Sequence, residues 1–262
     1  MNSWSRSRKR IILGIVLFIV VVLIGVPLYF LLYRAPTCFD GAVNGDETGI
    51  DCGGSCQLLC TAESLPLISR GDPRVLEVSP SVFEVVALVE NPNASAEIRH
   101  ARYTFKLYDS SSAIPVKVIG GETFVSKGSI FAVFEGPFTL EAGVMPTRAV
   151  LEWQKGNIVW EKNISPAPEL LIKNQVLSKE DSNPRIDASV ENRSPENVSN
   201  IDLIALVSDG EGNIFAASKT FIETLPGGAV EPVVFTWPRP FNATTTQIEI
   251  IVRIFPDRSF LR

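Results

Sequence analysis

Histidine is almost missing from these 262 residues: His100 is the only one. No H-E-x-x-H zinc site can be built from it, and no G-x-S-x-G, P-loop or G-x-G-x-x-G occurs either. His100 stands beside charge in Glu97-Ile98-Arg99-His100-Ala101; such a lone imidazole is expected on the surface and not in catalysis. Cysteine is absent outside positions 38–60, and acidic residues are absent from the first 36 positions. That stretch holds five basic residues (Arg6, Arg8, Lys9, Arg10, Arg34), leaving 19 basic against 29 acidic beyond it, a net of about −10. A body this acidic repels phosphate backbones, so no nucleic-acid partner is expected. No long helical periodicity appears beyond position 36, whereas apolar residues are plentiful at 45%. The chain is therefore read as folded, mainly β and non-enzymatic.

Residues Ile11 to Tyr33 read IILGIVLFIVVVLIGVPLYFLLY, 23 positions without a charge. As a helix this run covers roughly 35 Å, enough for a hydrocarbon core of about 30 Å. A membrane helix tolerates Pro27. Trp4 precedes one boundary, and Tyr29 and Tyr33 fall near the other, as interfacial belts require. The basic cluster Arg6 to Arg10 against a lone Arg34 predicts a cytoplasmic N-terminus. A cleaved export signal would be shorter and end in a small-residue site, but here Ala35 is followed by Pro36. The expectation is a basic stub over 1–10, a bilayer-spanning helix over 11–33 and an extracytoplasmic remainder.

All four cysteines, Cys38, Cys52, Cys56 and Cys60, fall in CFDGAVNGDETGIDCGGSCQLLC. An even count in an exported segment predicts two disulfides, in any of three pairings, holding a neck (34–63) too short for a core. The spacings are not the paired C-x2-C knuckles of zinc sites. Asp40, Asn44, Asp46, Glu47 and Asp51 offer hard oxygen atoms, a weak calcium candidate that lacks the EF-hand order D-x-[DN]-x-[DN]-G. A solvated acidic loop is the plainer reading, and no cofactor is expected. The stretch resembles a cysteine motif of exported proteins, C-x-D-G-x-x-N-x-x-E-x-x-x-D-C-G-G-x-C-x-x-C, matched by Cys38, Asp40, Gly41, Asn44, Glu47, Asp51, Cys52, Gly53, Gly54 and Cys56 and departed from in the last gap, where three residues precede Cys60. That resemblance implies exposure and disulfides, and no reaction.

Beyond the neck the chain reads as duplicated. Val89-Glu90-Asn91 is echoed by Val190-Glu191-Asn192, Asp109 by Asp209, and Phe134 to Pro137 by Phe235 to Pro238, at offsets of 100 or 101. A period of that length is two whole domains, 64–165 and 166–262, joined at Ser165-Pro166-Ala167-Pro168. Within them Tyr103, Phe105 and Leu107, then Phe83, Val85, Ala87 and Val89, then Ile186, Ala188 and Val190 alternate with neighbours expected towards solvent. So do Ile248, Ile250, Val252 and Ile254 with Gln247, Glu249, Ile251 and Arg253. Asn91-Pro92-Asn93, Gly120-Gly121, Asp209 to Gly212 and Pro226-Gly227-Gly228 supply turn signals. Short strands with such turns predict sandwiches.

Phe105-Lys106-Leu107-Tyr108-Asp109 matches the motif of FxLYD domains, and Val89 to Asn91 matches their upstream Val-x-Asn strand end. The resemblance implies small immunoglobulin-like or late-embryogenesis-abundant-like sandwiches of prokaryotic surface proteins. In the second copy Leu206-Val207-Ser208-Asp209 departs from it. Trp153, Trp160 and Trp237 are weighed as a sugar-stacking platform, but Trp153 shares the phase of Leu151 and Trp237 that of Phe235 and Val233, as core residues would. Sequons occur at Asn93, Asn163, Asn192, Asn197 and Asn242. The sequence thus predicts a bilayer-anchored structural or interaction protein with an unspecified envelope partner or surface ligand. The alternatives are an accessory subunit of an export or pilus-type assembly and, further off, an envelope hydrolase.

Overall fold

The structure, a computed structural model, describes residues 3–32, 36–110, 113–154, 156 and 158–257. It is mainly β with one apolar N-terminal helix, and it divides into two units, residues 1–56 and 57–262.

The first unit opens with a helix that is α over Ser3–Val20 and Val26–Leu32, with a π turn at Val21–Gly25 between them. Pro27 has no N–H to give to the preceding turn; the widened turn beside it absorbs that defect. Arg8–Leu31, 24 residues, is long and apolar enough to cross a membrane. Tyr33, Arg34 and Ala35, invoked for the far boundary, lie outside the described residues. From Pro36 the unit continues as turns, closed by an isolated bridge between Gly49 and Cys52 and by the Cys38–Cys56 disulfide, whose Cα atoms are 5.6 Å apart.

The second unit contains β1 (Leu58–Leu59), β2 (Ile68–Ser69), β3 (Arg74–Ser79), β4 (Val82–Glu90), β5 (Ala96–Tyr108), β6 (Lys117–Val125), β7 (Ile130–Thr139), β8 (Arg148–Trp153) and β9 (Trp160–Lys162). It continues with β10 (Leu170–Ser178), β11 (Arg185–Asn192), β12 (Val198–Ser208), β13 (Ile214–Leu225), β14 (Val230–Thr236) and β15 (Gln247–Ile254). Among the described residues these form four sheets, all antiparallel. Sheet 1 joins β1, β9, β5 and β6, with β8 also on β5; sheet 2 joins β2 and β3 to one side of β4 and β7 to the other. Sheet 3 runs β13-β12-β15 and sheet 4 β10-β11-β14.

The pleat explains how they stack. Val85, Ala87 and Val89 of β4 point one way, into a core shared with Ala101, Tyr103, Phe105 and Leu107 of β5. Val86 points the other way, with Leu76 and Ala132, against Ile204, Leu206, Ala217 and Ile251 of sheet 3. Ile201, Leu203, Ala205 and Val207 of β12 turn to a third core with Ile186, Ala188, Val190, Val233 and Phe235 of sheet 4. Sheets 2 and 3 are therefore apolar on both faces. Each large aliphatic side chain so buried contributes about 1.5–3 kcal/mol. The expectation that Ile251 and Arg253 face solvent is wrong for this reason: their side of β15 is covered by sheet 2.

Two further sequence readings change. Gly120-Gly121 is no turn but lies inside β6, paired with Thr104 and Tyr103. A Cβ on Gly121 would fall 2.4 Å from Tyr103 Oη, so glycine leaves room for that hydroxyl to donate to Glu135 Oε1 at 2.6 Å. The Phe134 and Phe235 echo is off by one pleat: Phe134 pairs with Val86 on the sheet 3 side, whereas Phe235 pairs with Ile186 and faces its own core.

The Val-Glu-Asn echo has a physical role. Asn91 is buried, and its Nδ2 donates to Ala96 O at 2.8 Å and Ser126 O at 2.9 Å. Asn192 is buried too, and donates to Glu196 O at 2.8 Å, Leu225 O at 3.0 Å and Pro226 O at 3.2 Å. In each copy one amide latches two neighbouring loops to a strand end, satisfying carbonyls that burial would otherwise strand.

Candidate functional site

In the first unit the predicted calcium-type residues are turned onto their own loop. Asp51 accepts from the N–H groups of Asp40 and Gly41 at 2.9 and 3.0 Å. Asp40 accepts from Ala42 N at 3.0 Å and Asn44 Nδ2 at 2.8 Å, contacts that hold its carboxyl below the usual range. Glu47 accepts from Asn44 N at 3.2 Å and Asp46 from Ser55 Oγ at 2.8 Å. Asn44 Oδ1 is buried without a hydrogen-bond partner among the described residues. A Cβ on Gly54 would lie 2.0 Å from Asp46 O, so the Gly-Gly pair lets these turns close. Carboxylates here act chiefly as acceptors for turn N–H groups. None of the four cysteines is free, so no thiolate is left for a metal or a nucleophile, although Cys38, Cys56 and Glu47 lie together.

In the second unit His100 and Arg102 both meet Glu122 on the outer face of sheet 1, at 2.7 and 2.8 Å. The tryptophans form no platform. Trp160 and Trp237 are buried, Trp237 Nε1 donates to Ala217 O at 2.8 Å, and Trp153 packs on Tyr103 and Phe131. The sequons separate by exposure: Asn93 and Asn192 are buried and hydrogen-bonded, whereas Asn197 and Asn242 are exposed. Asn163 Nδ2 donates to Glu97 Oε2 at 2.5 Å.

Sequence reasoning missed the charged groups between sheets 2 and 3. Arg253 of β15 reaches across the interface: Nη1 donates to Ala132 O at 2.9 Å, and Nη2 to Thr123 Oγ1 at 2.7 Å and Phe124 O at 2.6 Å. Its guanidinium lies 5.0 Å from the Phe131 ring centre and 4.7 Å from that of Phe255. Burial pushes it down to about 10, opposed by nearby Asp202, so it stays charged at neutral pH. Asp202 is itself buried, its carboxyl raised by desolvation against the pull of Lys219 (3.7 Å) and Arg253.

Along the same interface opens a cleft of about 550 Å³. Arg74 crosses it to Asn213 Oδ1 at 2.7 Å, and Arg239 to Glu77 at 3.6 Å. Glu84 lines it from the irregularity of β4 where the β7 register shifts between Phe83 and Val85. The side chain is 9% exposed and burial alone pushes its carboxyl up to about 7. No motif marks Glu84; its one sequence signal is a lone carboxylate inside the apolar run Val82 to Val89.

No family model matches the chain, and no curated protein does. Among solved structures, red sea bream transglutaminase is similar over 72% of this chain and 32% of its own, at 10% identity and a TM-score of 0.23. This chain thus spans about a third of that protein's length, and a likeness so slight bears on neither fold nor function.

Proposed function

We propose that this is a non-catalytic, membrane-anchored protein. Its second unit is held outside the cytoplasm as two immunoglobulin-like sandwiches fused into one rigid body for structural support or partner binding. The observation that carries the reading is the apolar seam between sheets 2 and 3, crossed by Arg253. A pair of sandwiches meant to flex would meet through a small polar contact. The linker is restrained as well: Lys127 Nζ donates to Asn163 O at 2.9 Å and to Ser165 O. An apolar helix with basic residues on its N-terminal side, followed by paired cysteines, supports the anchored, outward-facing arrangement. A hydrolase would need a second working carboxylate beside Glu84; of the two others that line the cleft, Glu77 is engaged by Arg239 and Asp72 stands at the exposed rim.

Thiol counting on intact membranes with an impermeant alkylating reagent tests the arrangement. Four thiols reachable only after reduction are expected. Thiols that react without reduction, and only once the bilayer is dissolved, would place the body in the cytoplasm and overturn it. Purification in mild detergent then separates a free-standing protein from a subunit of an export or pilus-type assembly, which would bring stoichiometric membrane partners.

A further inference from the structure

Glu84 is a buried carboxylate with neither a hydrogen bond nor an ion pair among the described residues. Desolvating a carboxylate alone costs several kcal/mol, which only a proton or an incoming cation offsets. The cleft beside it has room for a small ligand. Its walls are partly aromatic: Phe215 and Phe241 are only half-buried, with centroids 5.3 Å apart, and Trp237 backs Phe241 at 5.2 Å. Three arginines also line it, but each has a contact of its own. Arg74 is on Asn213, Arg239 faces Glu77, and Arg148 lies over the Tyr108 ring at 4.4 Å. None of them pulls the Glu84 carboxyl down.

We infer that the cleft between sheets 2 and 3 is a binding site for an organic ammonium ion, with Glu84 as its counter-charge and the Phe215 and Phe241 rings against its stem. A cation gains from both walls, since a carboxylate pairs with it and aromatic faces attract it. A bare divalent metal does not fit this setting, because it asks for several converging oxygen atoms. The inference does not depend on which side of the membrane the second unit occupies.

The test uses the full chain in maltoside micelles and saturation-transfer NMR with butylammonium as the probe. Wild-type protein is expected to bind it, and Glu84→Gln to bind at least about tenfold more weakly, while Asp72→Asn at the exposed rim stays within about twofold. Pentan-1-ol, of similar size but uncharged, is the second probe and needs no variant. It is expected to bind wild type at least about tenfold less well than butylammonium. Absence of butylammonium binding, equal binding by Glu84→Gln, or pentanol binding as tightly as the ammonium would each overturn the site.

Discussion

The two pairs of stacked sheets, 1 with 2 and 3 with 4, share a skeleton and differ on their outer faces. Strand pairing sets Val86, Leu88, Ala132 and Phe134 of sheet 2 in correspondence with Asp187, Ser189, Pro232 and Val234 of sheet 4. Thr104, Lys106, Val118 and Glu152 of sheet 1 likewise correspond to Ile204, Leu206, Ala217 and Ile251 of sheet 3. Within each pair one face is apolar and covered, the other polar and open. The open faces carry ion pairs, Lys106 with Glu152 at 2.7 Å and Arg185 with Asp187 at 2.6 Å. The inner cores specify a sandwich twice over, and the outer faces decide that only one seam forms. Identity of fold and identity of surface are thus separately encoded here, in alternate residues of the same strands.

Breaking the seam has the largest expected effect. Arg253→Ala removes the donor to Ala132 O and Phe124 O and one of the two cations that act on Asp202, a loss of about 3–5 kcal/mol. Chemical denaturation is expected to split from one transition into two, with the linker 163–169 newly open to protease. The shared skeleton comes next. Asn192→Ala strands the carbonyls of Glu196, Leu225 and Pro226, costing about 2–3 kcal/mol, and Asn91→Ala should cost a similar amount in the first copy. Unequal losses in the two melts would show that the latch is not equivalent.

Glu84→Gln sharpens the contrast with Arg185, its half-buried counterpart, which is paired with Asp187. Because burial raises the Glu84 carboxyl from 4.5 to about 7, the folded state favours the proton. Wild-type stability therefore falls as pH rises from 4.5 to about 7, then stays level. The variant removes that slope, gaining about 1–3 kcal/mol above pH 7 and nothing near pH 4; parallel pH curves for the two proteins would refute it. The smallest effect on folding is expected at the open faces. Removing Lys106 and Glu152 together as alanines costs under about 1 kcal/mol. Giving sheet 1 the residues of sheet 3 instead, through Thr104→Ile, Lys106→Leu and Glu152→Ile, should cause concentration-dependent self-association visible by sedimentation.

What could be read beforehand follows from how many faces of a strand are wet. In β5, Tyr103, Phe105 and Leu107 stand out because Arg102, Thr104 and Lys106 lie between them, and β11 is legible in the same way. In β4 from Val85 to Val89 and in β12 from Leu203 to Val207 every position is apolar, so period two disappears and the second buried face is invisible to an alternation argument. Arg253 misled for a related reason: a charge at an alternate position reads as solvent-facing, and its carbonyl partners lie more than a hundred residues away in sequence. The apolar N-terminal helix and the presence of disulfides, though not which cysteine joins which, were legible because each depends on a local run or a local count. The cleft was not, since Glu84, Phe215 and Phe241 come to line one space only through the stacking of sheets.

The doubly covered sheets also set a timetable for biogenesis. Val86, Ala132 and Phe134 leave the ribosome well before Ile251, the last residue of the cover they wait for. With about 120 residues still to be made, at roughly 5–20 residues per second, the first sandwich holds an uncovered apolar face for about 6–24 seconds. An interval of that length invites aggregation of newly made chains, so the yield of this protein should depend on holding factors that shield sheet 2 until β12 and β15 arrive.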